Sequence, residues 1–160
     1  MKIDRHFLNL TGEYRVCAEL LKRHLLATIT YGTYKGVDVF TIGEKRKIAA
    51  IEVKASNSNR FVTGLYQKYP DPKGLCPHFW VLYSITWKTD DEGNEVSVDR
   101  FFILSHEELA VIQAKRNAPK EKLTYGQAAD RFKKGVDNVL LEHVAEHENR
   151  WDKIIDFCKG

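Results

Sequence analysis

The run Phe79-Trp80-Val81-Leu82-Tyr83-Ser84-Ile85-Thr86 is apolar at odd and even positions alike. Successive side chains of a strand point to opposite faces, so a strand of this composition is buried on both and reads as the centre of a sheet. Other segments carry strand signals around it. Ala27-Thr28-Ile29-Thr30-Tyr31, then 36–42, 48–55 and 98–104, are rich in β-branched and aromatic residues. Gly32-Thr33-Tyr34-Lys35, the charged tip Gly43-Glu44-Lys45-Arg46-Lys47 and Asp90-Asp91-Glu92-Gly93-Asn94 read as the turns between them. The expectation is a mixed sheet of about five strands, the usual size.

Helices are expected on its faces, which makes the fold class α/β or α+β. Thr11 reads as an N-cap, with Tyr14, Cys17, Ala18, Leu21 and Leu25 at helical spacing behind it, and predicts a helix over 12–26 with Glu13 in its first turn. Phe61 to Lys68 reads as a short helix, ended by the Tyr69-Pro70-Asp71-Pro72-Lys73-Gly74 break. Ser105-His106-Glu107-Glu108 has the form of a capping box opening a helix to about Arg116. Residues 117–134 are basic and read as irregular, interrupted by Pro119 and Gly126. A last helical stretch is predicted from Gly135-Val136-Asp137-Asn138, broken near Glu148-Asn149, with Trp151 as a core anchor.

A chain of 160 residues, 43% apolar and 29% charged, suits one globular domain spanning residues 1–160 rather than a disordered or fibrous class. Its net charge of +3 permits contact with a polyanion without arguing for it. No apolar run approaches the length of a membrane span. Cys17, Cys76 and Cys158 lie far apart, an odd count that suits a reducing compartment, so the cytoplasm is the expected location. The six histidines, His6, His24, His78, His106, His143 and His147, show no metal-ligand spacing and read as surface residues.

The chemistry concentrates in Ile51-Glu52-Val53-Lys54-Ala55-Ser56. Alternation puts Glu52 and Lys54 on one face of this strand and Ile51, Val53 and Ala55 on the other. One hairpin away, Asp38 stands between Val37 and Val39, and Glu13 borders the buried stripe of the first helix. Two acids and a lysine converging are what phosphodiester hydrolysis asks for. A hard cation such as Mg²⁺, held by carboxylate oxygens, lowers the pKa of a bound water and neutralises phosphate oxygens. A lysine whose pKa falls on burial can help deprotonation or meet developing charge.

Gly12-Glu13 on a helix, Gly36-Val37-Asp38 on one strand and Ile51-Glu52-Val53-Lys54 on the next, covering roughly residues 11–56, resemble the PD-(D/E)XK nuclease superfamily. That superfamily includes restriction endonucleases and Holliday junction resolvases; Val37 stands where its name has proline. The resemblance implies a restriction-endonuclease-like core and a metal-dependent DNA endonuclease. It implies Asp38 and Glu52, with the Val53 carbonyl, as ligands of Mg²⁺ or Mn²⁺, Lys54 as the catalytic cation and Glu13 as an auxiliary acid. It also implies Ser56 or Gln67 as substrate contacts, and a homodimer for cutting two strands. Gln67-Lys68-Tyr69 does not match the wider spacing of the exonuclease branch. The alternative is a catalytically inactive nuclease-fold module that binds DNA or another protein. The type of DNA is left open.

Overall fold

The structure is a computed structural model that describes residues 3–30, 36–134 and 138–160. The expected turn 32–35, the end of the first strand at Tyr31 and the expected helix start at 135–137 lie outside the described residues.

Helix α1 (Arg5–Leu21) begins seven residues before the expected start. Asp4 is its N-cap, and the side chain accepts the His6 N–H at 2.8 Å, satisfying one of the free donors of the first turn. Gly12 therefore lies inside the helix, and Glu13 sits mid-helix rather than in the first turn. The glycine has a packing reason, because a Cβ there would stand 3.0 Å from the Ala55 Cβ and 3.2 Å from Tyr83 Cδ1. Leu8, Gly12, Val16 and Leu20, four apart, form the buried stripe. The helix stops at Leu21, and His24 turns the chain with a φ of 61° into the first strand.

Strands β1 (Leu26–Ile29), β2 (Val39–Ile42) and β3 (Ile48–Ser56) form an antiparallel meander. The chain then crosses over through a three-residue strand, β4 (Arg60–Val62), and a one-turn helix, α2 (Leu65–Lys68). The single helix expected over Phe61–Lys68 is thus split. Strand β5 (Phe79–Thr89) lies parallel to β3, and β6 (Glu95–Ser105) returns antiparallel to β5. The result is a mixed five-stranded sheet of order β1-β2-β3-β5-β6 with helices around it, the expected fold class.

Helix α3 (His106–Asn117) opens on the expected capping box, with Ser105 and Glu108 serving each other's backbone. Residues 117–134, expected to be irregular, contain α4 (Tyr125–Phe132), started by a second capping box of Thr124 and Gln127. Where the last helical stretch was expected, the described residues open with a short strand, β7 (Asn138–Leu140), paired with β4 in a separate two-stranded sheet. Helices α5 (Leu141–Val144) and α6 (Asp152–Lys159) follow, separated by a 3₁₀ turn at Ala145–His147 and a break at Glu148–Asn149.

Strand β5 divides its side chains between two cores. Phe79, Val81, Tyr83 and Ile85 pack with α1, α6 and the buried Trp151, whereas Trp80 and Leu82 pack with the crossover, α3 and α4. Among the described residues, no helix is long and apolar enough to cross a membrane.

Candidate active site

The site forms where β2 runs out and β3 continues. The β2–β3 ladder stops at Val39 opposite Ile51, leaving Glu52, Val53 and Lys54 without a backbone partner on that side. Asp38 fills the gap: its N–H donates to the Ile51 carbonyl at 3.0 Å, and its Oδ2 accepts the Val53 N–H at 2.7 Å. The N–H and C=O of a strand residue leave the same edge of the strand, so the Val53 carbonyl also faces the Asp38 side. Asp38 itself precedes the strand on which it was expected.

Glu52 is 1% exposed on the face opposite α1. Its Oε1 meets Lys54 Nζ at 2.8 Å and also Lys68 Nζ, and its Oε2 accepts the Tyr69 hydroxyl at 2.5 Å. The same hydroxyl lies 2.9 Å from the Gly36 carbonyl; having one proton, it gives it to the ionised carboxylate. Burial raises the pKa of Glu52, but Lys54 and Lys68 outweigh it, and the carboxyl titrates below its ordinary range. Burial alone would lower the pKa of Lys54, as expected from sequence; Glu52 and Asp38 reverse this and raise it. Both neighbouring acids thus favour the charged form of Lys54.

Asp38 and Glu13 behave oppositely to Glu52. Burial is the main cause of the raised pKa of each. Asp38 further raises Glu13, and Glu52 raises Asp38, with Lys54 relieving both acids only in part. Around both, burial disfavours the charged form more than the neighbouring positive charge favours it. Both line a cleft of about 760 Å³ whose charged residues are four basic side chains, Arg5, Lys54, Arg60 and Lys68, and these two acids. Ser56 also lines the cleft; Gln67, which is exposed, does not. The Ser56 hydroxyl donates to the Arg60 carbonyl at 2.7 Å and accepts the Ser58 N–H at 3.1 Å, so it shapes the loop that carries Arg60.

The donor set of Asp38, Glu52 and the Val53 carbonyl is all hard oxygen, the chemistry Mg²⁺ selects. Asp38 Oδ1 accepts no hydrogen bond from the described residues. Yet among the described residues no three His, Cys, Asp or Glu side chains are gathered closely enough to hold a metal ion, and both oxygens of Glu52 are engaged. The donor type suits the ion, the grouping does not, and Lys54 and Lys68 hold the Oε1 of Glu52.

Behind Glu52 lies a hydrogen-bonded chain that the sequence did not disclose. The Trp80 indole N–H donates to His106 Nδ1 at 3.0 Å, and His106 Nε2 lies 2.9 Å from the Tyr125 hydroxyl, which donates to the Tyr69 carbonyl at 2.6 Å. An indole N–H can only donate, so Nδ1 must accept and the neutral ring carries its proton on Nε2. Burial lowers the pKa of His106 to about 4, with Glu52 opposing. Expected at the surface, His106 is instead part of the packing under Tyr69, and His147 is also buried. Lys68 and Tyr69 were missed for a similar reason. They lie 16 and 17 residues beyond Glu52, across a polar loop, where no local periodicity links them to it.

No family model matches the chain, and no curated protein matches it.

Proposed function

We propose that this chain is a metal-dependent DNA endonuclease of the PD-(D/E)XK type. The observation that carries the reading is the convergence of Asp38, which precedes β2, with Glu52 and Lys54 of the adjoining β3: Asp38, Lys54 and Glu13 line a cleft with an excess of basic side chains, and Glu52 is buried beside it against Lys54. Such a cleft attracts a phosphate backbone. Asp38, the Val53 carbonyl and Glu52 are the groups that would hold Mg²⁺ or Mn²⁺. Bound there, the ion would acidify a water and neutralise a phosphate oxygen. Lys54, kept protonated by its two acidic neighbours, stabilises charge that develops on the scissile phosphate. Glu13, an acid of raised pKa at the cleft wall, orients the attacking water. Arg5 and Arg60 line the same cleft and supply phosphate contacts. Cutting both strands of a duplex would pair two such chains as a homodimer, and three unpaired thiols fit a cytoplasmic setting.

A second reading is a nuclease-fold module that binds DNA without cutting it. It is favoured by one specific observation: Glu52 is already paired with two lysines and accepts a tyrosine hydroxyl. Plasmid nicking with Mg²⁺ or Mn²⁺ separates the two. For the nuclease, Lys54→Ala lowers the nicking rate by about 10²–10³-fold, the usual loss of one charge-stabilising group. It does so with an unchanged circular dichroism spectrum, and an Asp38→Ala, Glu52→Ala double variant loses nicking and metal binding together. No nicking by the wild type, alongside salt-sensitive DNA binding, gives the module the lead.

A further inference from the structure

Helix α1 is apolar on two sides. Leu8, Gly12, Val16 and Leu20 face the core, whereas Phe7, Tyr14 and Leu21 fall on the opposite side and are 64%, 53% and 50% exposed. These three are seven apart, and a seven-residue step falls only about 20° short of two full turns, so they lie in one row. Leu10 and Ala18, half-buried, stand between them on either side of the row. Apolar residues at three- and four-residue steps form the narrow seam by which one helix packs along another. The exposed part of this seam is on the order of 300 Å² of apolar surface, the size of the largest patch on a typical monomer.

The seam is complementary to itself. Reversed about Tyr14, it sets Phe7 against Leu21, the larger Leu10 against the small Ala18, and Tyr14 against its own copy. Its two flanks differ. Asn9 and Glu13, on one, line the cleft, while Thr11 and Arg15, on the other, line a separate groove with Trp87 and Asp99. On this second flank Arg15 is paired with Asp99 at 2.6 Å and Lys22 with Glu19 at 2.7 Å, so neither brings an uncompensated charge against a second copy.

We propose that α1 is the interface of a homodimer, in which the Phe7, Leu10, Tyr14, Ala18 and Leu21 seams of two copies pack antiparallel about a twofold axis at Tyr14. The flanks supply the rest of the roughly 800 Å² that each partner of a stable complex buries. A twofold perpendicular to both helices reverses their direction yet keeps each flank on its own side. The two Glu13 flanks therefore come together, and both clefts open toward one side of the dimer, where one duplex reaches both. That use of the clefts rests on the nuclease reading; the interface itself does not.

Sedimentation equilibrium of the full chain tests the interface. The wild type is expected to be dimeric at about 100 µM, above the micromolar end of the affinities that standard-sized interfaces reach. Tyr14→Glu, which sets two carboxylates against each other on the axis, is expected to weaken the dimer by about 30-fold or more, the loss of a central interface residue. Its circular dichroism spectrum is expected to be unchanged, because the side chain is already half exposed. Phe7→Glu and Leu21→Lys are each expected to be monomeric alone and to form a mixed dimer when combined, because position 7 of one copy faces position 21 of the other; parallel helices would not give that rescue. Should Tyr14→Glu fold poorly, the mixing experiment decides. A monomeric wild type, a folded Tyr14→Glu of undiminished affinity, or two folded variants that form no mixed dimer overturns the interface, whatever nicking the wild type shows. A wild-type dimer that behaves as expected on mixing but does not nick leaves the interface standing and counts against the nuclease reading alone.

Discussion

Asp38 closes the end of a ladder with a side chain, and the arrangement is costly because the carboxylate is buried with too little positive charge beside it. Its folded-state pKa lies above the ordinary value, so the folded chain binds that proton more tightly than the unfolded one. Stability from this group is therefore lost as pH rises through the window between the ordinary and the raised value. Asn at this position keeps an oxygen for the Val53 N–H and removes the charge. Asp38→Asn is expected to raise the melting temperature at pH 7 by about 2–4 °C for each kcal/mol gained, with the gain vanishing below the carboxylate range. Thermal melts at pH 7 and pH 3.5 check this, and a lower melting temperature at pH 7 counts against it. Residues of this kind were partly legible in the sequence. The Glu52 and Lys54 alternation is local, with a period of two, and can be read from six letters. The Lys68 and Tyr69 contacts arise from a crossover whose path no local pattern records.

Among the elements, α1 sets the position of Glu13, and Gly12 sets the position of α1. With no Cβ at Gly12, the helix descends onto Ala55 and Tyr83. Alanine would gain about 1 kcal/mol of helix propensity. It would also put a methyl 3.0 Å from the Ala55 Cβ in a closed core, an overpacking that costs about 1–3 kcal/mol. Gly12→Ala is expected to be net destabilising in urea unfolding and to lift Glu13 away from Asp38; unchanged or greater stability would mean that the contact yields easily. The sequence suggested a helix start at Thr11–Gly12 because a threonine followed by glycine resembles a cap. Asp4, seven residues earlier, is the real one, and the burial that favours it depends on strands not yet placed. Thr124-Tyr125-Gly126-Gln127 carried a legible capping box that Pro119, Gly126 and the lysine-rich surroundings obscured. Strands β4 and β7, three residues each, exist by pairing with one another, and no periodicity can show in so short a run.

Across the molecule, the central sheet separates two cores, and the Trp80–His106–Tyr125–Tyr69 chain ties β5, α3, α4 and the crossover together on one side of it. A neutral His106 is a condition of that link, since a second ring proton would face the Trp80 N–H. The folded-state pKa of about 4 lies below the ordinary 6.5, so the unfolded chain binds the proton more readily. The stability contributed by neutral His106 is complete above about pH 6.5 and is lost as pH falls from there toward 4. In denaturant titrations across that window the wild type is expected to lose stability more steeply than His106→Gln, although the variant is weaker at pH 7 by about 1–3 kcal/mol for the donor it orphans. Equal slopes would exclude His106 as the titrating group. The apolar run of β5 foretold the two cores, because a strand apolar on both faces has to be covered twice. It could not foretell which helices would cover each face.

The parallel pairing of β3 with β5 has a consequence for how fast the protein assembles. Parallel neighbours cannot be joined by a tight turn, and residues 57–78 must fold back before Ile51 and Phe79 can meet. Closing such a loop is among the slower events of folding, since its entropy is lost before the contacts form. Lys68 and Tyr69 ride on that same segment, so Glu52 is enclosed and neutralised in the step that completes the sheet. A chain that has paired β2 with β3 already has Asp38, Glu52 and Lys54 together, and the crossover adds Lys68 and Tyr69 to Glu52 last.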